Sequence, residues 1–312
     1  MIFVATCIIL RQDVQLAGTP KTAKERTIPG SLNKSRRFVL ATGCAALLEA
    51  CFRRGTASAG LLSQIKARGI IRVATEAAFE PFEFVVNGKI VGYNKDVLDY
   101  VVAKLGVRLE QANLPFQGIL PGLLAHKFDL VATSVSITPE RARKYGYTRP
   151  IGSADDVVVV RADDNRIRTL DDLNGMVVAT QLASAVQPVL EEHNAHLKAK
   201  GSAGYEELRL FTAFPETHLA LAAGQVDTIV IASPSAAVLM RKIPGRYRIA
   251  TKFRHTTPLA WVTRPEDSDL RNYVDSRIDE LRNSGKLRQL QLKWLGFEMD
   301  TVPDGHQPSP EY

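Results

Sequence analysis

Residues 107–141 read VRLEQANLPFQGILPGLLAHKFDLVATSVSITPER, and this stretch decides the fold class. Residues 107–112 predict a strand, 116–125 a helix and 129–133 a second strand. Toward the N-terminus, residues 96–105 carry Val97, Tyr100, Val101 and Leu105 at spacings of three and four, so they predict another helix. Asn87-Gly88 separates residues 82–86 from 89–93 and supplies the positive φ angles of a type I′ turn, which predicts a hairpin. Residues 70–74 predict the first strand. The resulting β-α-β-α-β order is that of a mostly parallel sheet with helices on both faces.

The pattern restarts after Pro150. Strands are predicted at 156–161, 176–180, 208–211 and 226–231, with helices at 185–199, 218–223 and 235–241. An apolar strand at 259–262 and a polar helical stretch at 270–295 close the sequence. Two α/β lobes are therefore expected in about 250 residues, with no internal repeat.

The end of the opening stretch, Thr138-Pro139-Glu140-Arg141, is the most informative local feature. Thr138 suits an N-cap, Pro139 the first helical position and Glu140 the positive end of a helix. It follows a predicted strand through a Ser-rich turn, Ser134-Val135-Ser136. Ligands of open α/β sheets bind beyond the carboxyl ends of strands, so Arg141 and the serine hydroxyls could converge there on an anion. A well-capped surface helix with a solvated arginine explains the same residues. Gln181-Leu182-Ala183-Ser184 occupies the equivalent place in the second lobe, where an ordinary cap is the alternative. Phe79 and Phe116 stand at corners where a ring can face a cleft; Phe82 and Phe84 read as core.

Composition narrows the function. The chain has 312 residues, 45% hydrophobic and 23% charged, which excludes disordered and collagen-like classes. Its net charge of +7 suggests a nucleic-acid partner until it is divided by region. Nine Lys/Arg and three Asp/Glu fall in residues 1–59, so of the chain's 40 basic and 33 acidic residues 31 and 30 remain beyond them. No nucleic-acid partner is expected. Cys7, Cys44 and Cys51 are the only cysteines, so the body has no disulfide, thiolate metal site or cysteine nucleophile. His193 and His196, three apart on a polar helix face, read as solvated, and no metal pattern emerges. There is no G-x-G-x-x-G, P-loop, G-x-S-x-G or H-E-x-x-H. Arg36-Arg37, the apolar run 41–52 and Ala57-Ser58-Ala59 read as a twin-arginine export signal cleaved after Ala59. A lipoprotein site at Leu48-Glu49-Ala50-Cys51 is a poorer reading, because Glu49 sits where such sites carry small residues.

The ordered motifs resemble a known family. The run Val73-Ala74-Thr75-Glu76-Ala77-Ala78-Phe79-Glu80-Pro81-Phe82-Glu83-Phe84 is similar to the start of the polar amino-acid solute-binding proteins of ABC importers. Asn87-Gly88-Lys89-Ile90-Val91-Gly92-Tyr93, Lys127-Phe128-Asp129-Leu130, Ser134-Val135-Ser136-Ile137-Thr138-Pro139-Glu140-Arg141 and Lys293-Trp294-Leu295-Gly296 continue the likeness. The resemblance implies a two-lobed periplasmic-binding-protein (type II) α/β fold, its ligand cleft between lobes joined by two crossing strands. The lobes are expected at 60–152 plus 255–312 and at 153–254, after a leader at 1–59.

It further implies a periplasmic monomer that captures an amino acid or related small carboxylate and delivers it to an ABC permease, with no catalytic residue, cofactor or metal. A dehydratase-like enzyme acting on a cyclic acid is the alternative, with Glu76 as its acid/base group. Carried onto this chain, Arg141, Ser136 and Ser184 hold the ligand carboxylate, and Phe79 and Phe116 sandwich its side chain. Thr133, Ser134 and Glu76 meet polar or cationic groups, and Gln181 lines the second lobe. Two departures stand out: Ala183 where relatives usually carry glycine, and Ala232 where they place the aspartate that pairs the ligand ammonium. Glu76 is then expected to be the only cleft carboxylate, and an α-ammonium would lack a counter-charge in the second lobe.

Overall fold

A computed structural model of the chain describes residues 60–299. The export-signal reading of residues 1–59 lies outside the described residues. The first elements are α1 (Leu61–Arg68), β1 (Ile70–Thr75), β2 (Ala78–Phe79), β3 (Glu83–Val86), β4 (Lys89–Val91), α2 (Tyr93–Leu105), β5 (Arg108–Asn113), α3 (Phe116–Leu124), β6 (Leu130–Ser136), α4 (Pro139–Ala142) and β7 (Gly146–Tyr147). Then come β8 (Gly152–Arg161), a 3₁₀ turn (Asp171–Leu173), β9 (Val177–Gln181), α5 (Val186–Ala199), β10 (Glu207–Phe211), α6 (Phe214–Ala222), β11 (Thr228–Ala232) and α7 (Ser233–Lys242). The long β12 (Tyr247–Thr263), α8 (Ser268–Asn283) and α9 (Lys286–Trp294) complete the fold.

Local chemistry accounts for the boundaries. Val97, Leu98, Val101, Val102 and Leu105 form the buried stripe of α2, and Gly106 stops the helix at a φ of 72°. Asn87 and Gly88 adopt φ of 51° and 75°, as a type I′ hairpin between β3 and β4 requires. The predicted 270–295 helix is two helices, α8 and α9, because Gly285 takes a φ of 71° between them.

The strand order of the main sheet is β10-β9-β11-β8-β12-β6-β1-β5, with β7 beside β12. Pairing is parallel within each half: β1 with β5 and β6, and β9 with β10 and β11. At the centre it is antiparallel, β8 with β11 and β12 with both β8 and β6. The expectation of a mostly parallel sheet therefore holds for each half and fails where they meet. The N-terminal part of β12 pairs with β8 beside β11, whereas Leu259, Ala260 and Val262 pair with β6. Two long strands thus run between the halves of a two-lobed α/β fold. Trp261 of β12 is fully buried in a core shared by both halves, while Phe116, Ile119 and Val135 pack in a separate cluster of the first half.

One difference moves functional residues. Ser134-Val135-Ser136 is strand and not turn, because β12 supplies an antiparallel partner: Ser136 pairs with Leu259 and Val135 with Ala260. Alternation then sends Val135 to the core and keeps Ser134 and Ser136 on the opposite face. His193 also differs from its reading: it is half-buried, with Nδ1 2.7 Å from the Tyr205 hydroxyl and its ring edge-on to Phe253.

Candidate functional site

The carboxyl ends of β1, β6 and β9 deliver side chains to one cavity between the halves of the sheet. It is lined by Glu76 and Phe79 after β1, Phe116 at the start of α3, and Thr133, Ser134 and Ser136 of β6. Arg141 of α4, Gln181 at the end of β9 and Ser184 in the following loop complete the predicted set. All nine residues proposed from the sequence meet there. Sequence reading missed others that line it, among them Asp156 of β8, Phe214 at the start of α6, and Ala185 before α5. The cavity encloses about 40 Å3, room for little beyond a water molecule. It adjoins an outer groove of about 780 Å3, and Phe116, Arg141, Asp156, Ser184 and Ala185 belong to both.

Arg141 is the one cationic side chain of the cavity among the described residues. Thr138 caps its helix by accepting the Arg141 backbone N–H at 3.3 Å, which anchors the residue at the mouth. The guanidinium donates to the carbonyls of Ala183 at 2.9 Å and Ser136 at 3.4 Å and lies 5.4 Å above the Phe116 ring. Among the described residues no carboxylate lies within ion-pair distance of it. Burial lowers its pKa. Ser184 faces the same cavity, is 9% exposed, and its hydroxyl has no hydrogen-bond partner among the described residues. A half-buried guanidinium with no carboxylate partner among the described residues, beside an unsatisfied hydroxyl, is a receptor for an anion.

The other end of the cavity is rich in acceptors. Glu76 is buried and accepts a hydrogen bond from the Gln181 amide, which also donates to the Thr212 carbonyl at 3.3 Å. Burial pushes the Glu76 carboxyl up to about 8, and the Gln181 hydrogen bond offsets only part of that rise. Behind it, fully buried Glu83 accepts from the Thr133 hydroxyl and the Asn94 amide, and Asn94 also donates to Ser134 Oγ at 3.0 Å. Burial raises the Glu83 pKa as well. Glu83 was legible only as a hairpin residue, since nothing in Phe82-Glu83-Phe84 marks a side chain turned inward.

The aromatic residues differ from the expected sandwich. Phe79 stacks on Phe214 of the opposite half, centroids 4.8 Å apart and planes at 24°, while Phe116 lies under Arg141. Ala183 adopts a φ of 62°, a left-handed conformation that glycine takes without strain, and its N–H donates to Gln187 at 2.8 Å. Ala232 lines the cavity, as its place in the sequence implied. The expectation that Glu76 is the only carboxylate there is wrong. Asp156 stands directly across from Ala232 in the β8–β11 pair and lines the same cavity. It escaped notice because its run, 156–161, reads as an ordinary strand start.

The sequence pattern of the bacterial extracellular solute-binding proteins, family 3, matches residues 71–297. The chain belongs to this family. Among its relatives, the probable amino-acid-binding protein YxeM of Bacillus subtilis (strain 168) is 27% identical over 239 residues, spanning 76% of this chain and 88% of YxeM. Among solved structures, a mutant of ArgBP from T. maritima is 32% identical with a TM-score of 0.68, covering 75% of this chain and 99% of its own. The ancestral amino acid-binding protein AncCDT-1, a precursor of cyclohexadienyl dehydratase, is 29% identical with a TM-score of 0.67, covering 76% and 100%.

Proposed function

We propose that this member of family 3 works outside the cytoplasm as a solute-binding protein: it captures an amino acid or related small carboxylate and delivers it to an ABC permease. The observation that carries the reading is the pairing of Arg141, uncompensated by any carboxylate among the described residues, with the unsatisfied Ser184 hydroxyl in one enclosed cavity. Arg141 takes the solute carboxylate with two charge-assisted bonds, joined by Ser136 and Ser184. Phe79, Phe116 and Phe214 cover the solute, and Gln181 closes over it from the second half. Relatives named as amino-acid-binding proteins agree with this reading.

The halves of the sheet serve as lobes, 60–152 plus 255–312 and 153–254, hinged at β8 and β12. The cavity as it stands is too small for a solute, so the lobes open to load it and close to retain it. Function is assigned to a periplasmic monomer exported by the twin-arginine route, with no nucleic-acid partner and no catalysis. Calorimetric titration of the purified protein with a panel of α-amino acids tests the capture. Binding of at least one solute that carries a carboxylate is expected, and X-ray scattering should report a more compact particle with it. If no such solute binds, the reading fails.

The catalytic alternative has one feature in its favour: burial raises the Glu76 carboxyl to about 8, in the range of a general acid at neutral pH. Turnover of a cyclic acid, lost in Glu76→Gln, would support it. Recovery of every bound solute intact supports capture.

A further inference from the structure

The cavity's second carboxylate has a geometric role that the nine residues proposed from the sequence leave unfilled. Ala232 and Asp156 are register partners across the antiparallel β8–β11 pair. Directly opposed residues of such a pair point to the same face, their Cβ atoms about 4.5–5.5 Å apart. Both line the cavity, so a carboxylate stands one strand over from an alanine that offers nothing polar. Asp156 also lies where the inner chamber meets the outer groove, together with Arg141, Ser184 and Phe116, whereas Glu76 lines the inner chamber alone.

That separation assigns the two acids to different parts of a solute. In an α-amino acid the carboxylate and the ammonium sit on one carbon, so their partners have to lie close together. Of the two cavity acids, Asp156 shares the Arg141–Ser184 junction and Glu76 does not. Accepting the α-amino acid reading above, we propose that Asp156 is the specificity-determining residue that pairs the α-ammonium, leaving Glu76 for the solute's side chain. Asp156 has other interactions within the protein, and a carboxylate with about four lone-pair sites has capacity for a further donor.

The deep end then selects the side chain. Thr133 is hydrogen-bonded to Glu83 through its hydroxyl and lines the cavity together with Glu76. A cationic side chain that reaches Glu76 displaces its proton to solvent, and an amide donates to its carbonyl oxygen, so the solute's side chain carries an amide, ammonium or guanidinium. The solute class is an α-amino acid with a donor-bearing side chain.

Calorimetry on the full chain tests this with L-arginine and L-glutamine, each beside its analogue lacking the α-ammonium, 5-guanidinopentanoate and glutaramate. The unaltered protein should bind at least one of the two amino acids. Asp156→Asn should weaken that binding by at least about 30-fold and change the matching analogue by less than about 3-fold. Adding Ala232→Asp to Asp156→Asn should bring the amino acid back to within about tenfold of the unaltered protein, since it returns the charge to the same face. Thermal unfolding of each variant separates lost affinity from lost folding, and the rescue is itself proof of a folded site. Equal losses for amino acid and analogue, or an Asp156→Asn variant that binds normally, overturn the assignment. If the unaltered protein binds other α-amino acids but neither of these, the donor-bearing side chain is wrong. If it binds no α-amino acid, there is no α-ammonium for Asp156 to pair and the assignment is overturned, while binding of the analogues alone would leave carboxylate capture standing.

Discussion

The two walls of the cavity are built differently. Groups from the first half are held from behind: Thr133 by Glu83, Ser134 by Asn94, and the Arg141 backbone by Thr138. Groups from the second half are backed less completely, although Gln181 also donates to the Thr212 carbonyl at 3.3 Å. Gln181 reaches across to Glu76, the Ser184 hydroxyl has no partner among the described residues, and beside the uncharged Ala185, Val186, Phe214 and Ala232 this wall carries one carboxylate, Asp156. The first wall is preorganised around the solute's anionic group, while Ser184 of the second gains its partner only when a solute is enclosed. The difference teaches an order of events: a solute docks on the first wall, and the second covers it.

The largest effect should follow from disarming the first wall. Arg141→Ala removes a charge-assisted pair from a desolvated cleft and should cost about 2–3 kcal/mol of binding, roughly 30- to 150-fold in affinity. Calorimetry would show it, and a loss below tenfold would place the carboxylate elsewhere.

The contact across the walls should respond to pH. Glu76 rises from 4.5 to about 8 through burial. The folded protein therefore binds that proton more tightly than the unfolded chain. Its stabilising contribution is complete below pH 4.5 and is lost as pH rises through about 8. Between pH 5 and 9 the solute-free protein should lose roughly 8–16 °C more in melting temperature than Glu76→Gln. Parallel curves for the two proteins would show that the carboxyl is not enclosed.

A smaller effect should come from the covering wall. Phe214→Ala removes the ring stacked on Phe79 and should weaken solute binding by about 3- to 10-fold, the worth of one aromatic pair. Unchanged affinity would mean that the pair does not help hold the cavity shut. The smallest change concerns the loop that carries Ser184. Ala183→Gly relieves a φ of 62° and should raise stability by up to about 1 kcal/mol in denaturant titration. Solute affinity should stay within about twofold.

What the sequence disclosed follows the same division. The first half was legible because its strands and helices keep strict local periods, as in α2, and because Thr138-Pro139-Glu140-Arg141 is a local cap with a local reading. The central crossing was not. Most of β12 is polar and its register with β8 shifts between Ile249 and Thr251 and between Lys252 and Thr256, so no period of two survives. Asp156, Phe214 and Glu83 escaped for a related reason. Each gains its meaning from a partner distant in the chain: Ala232 across the sheet, Phe79 across the cavity, and Thr133 fifty residues away.

The central claim is that Arg141 holds the solute's anionic group inside the closed cavity. Native mass spectrometry of the purified protein, followed by denaturation and identification of whatever small molecule is released, tests it most directly. The account predicts one solute per chain, bearing a carboxylate and an amine, absent from Arg141→Ala prepared in the same way. A co-purified solute without an anionic group, or one retained in full by Arg141→Ala, would contradict it.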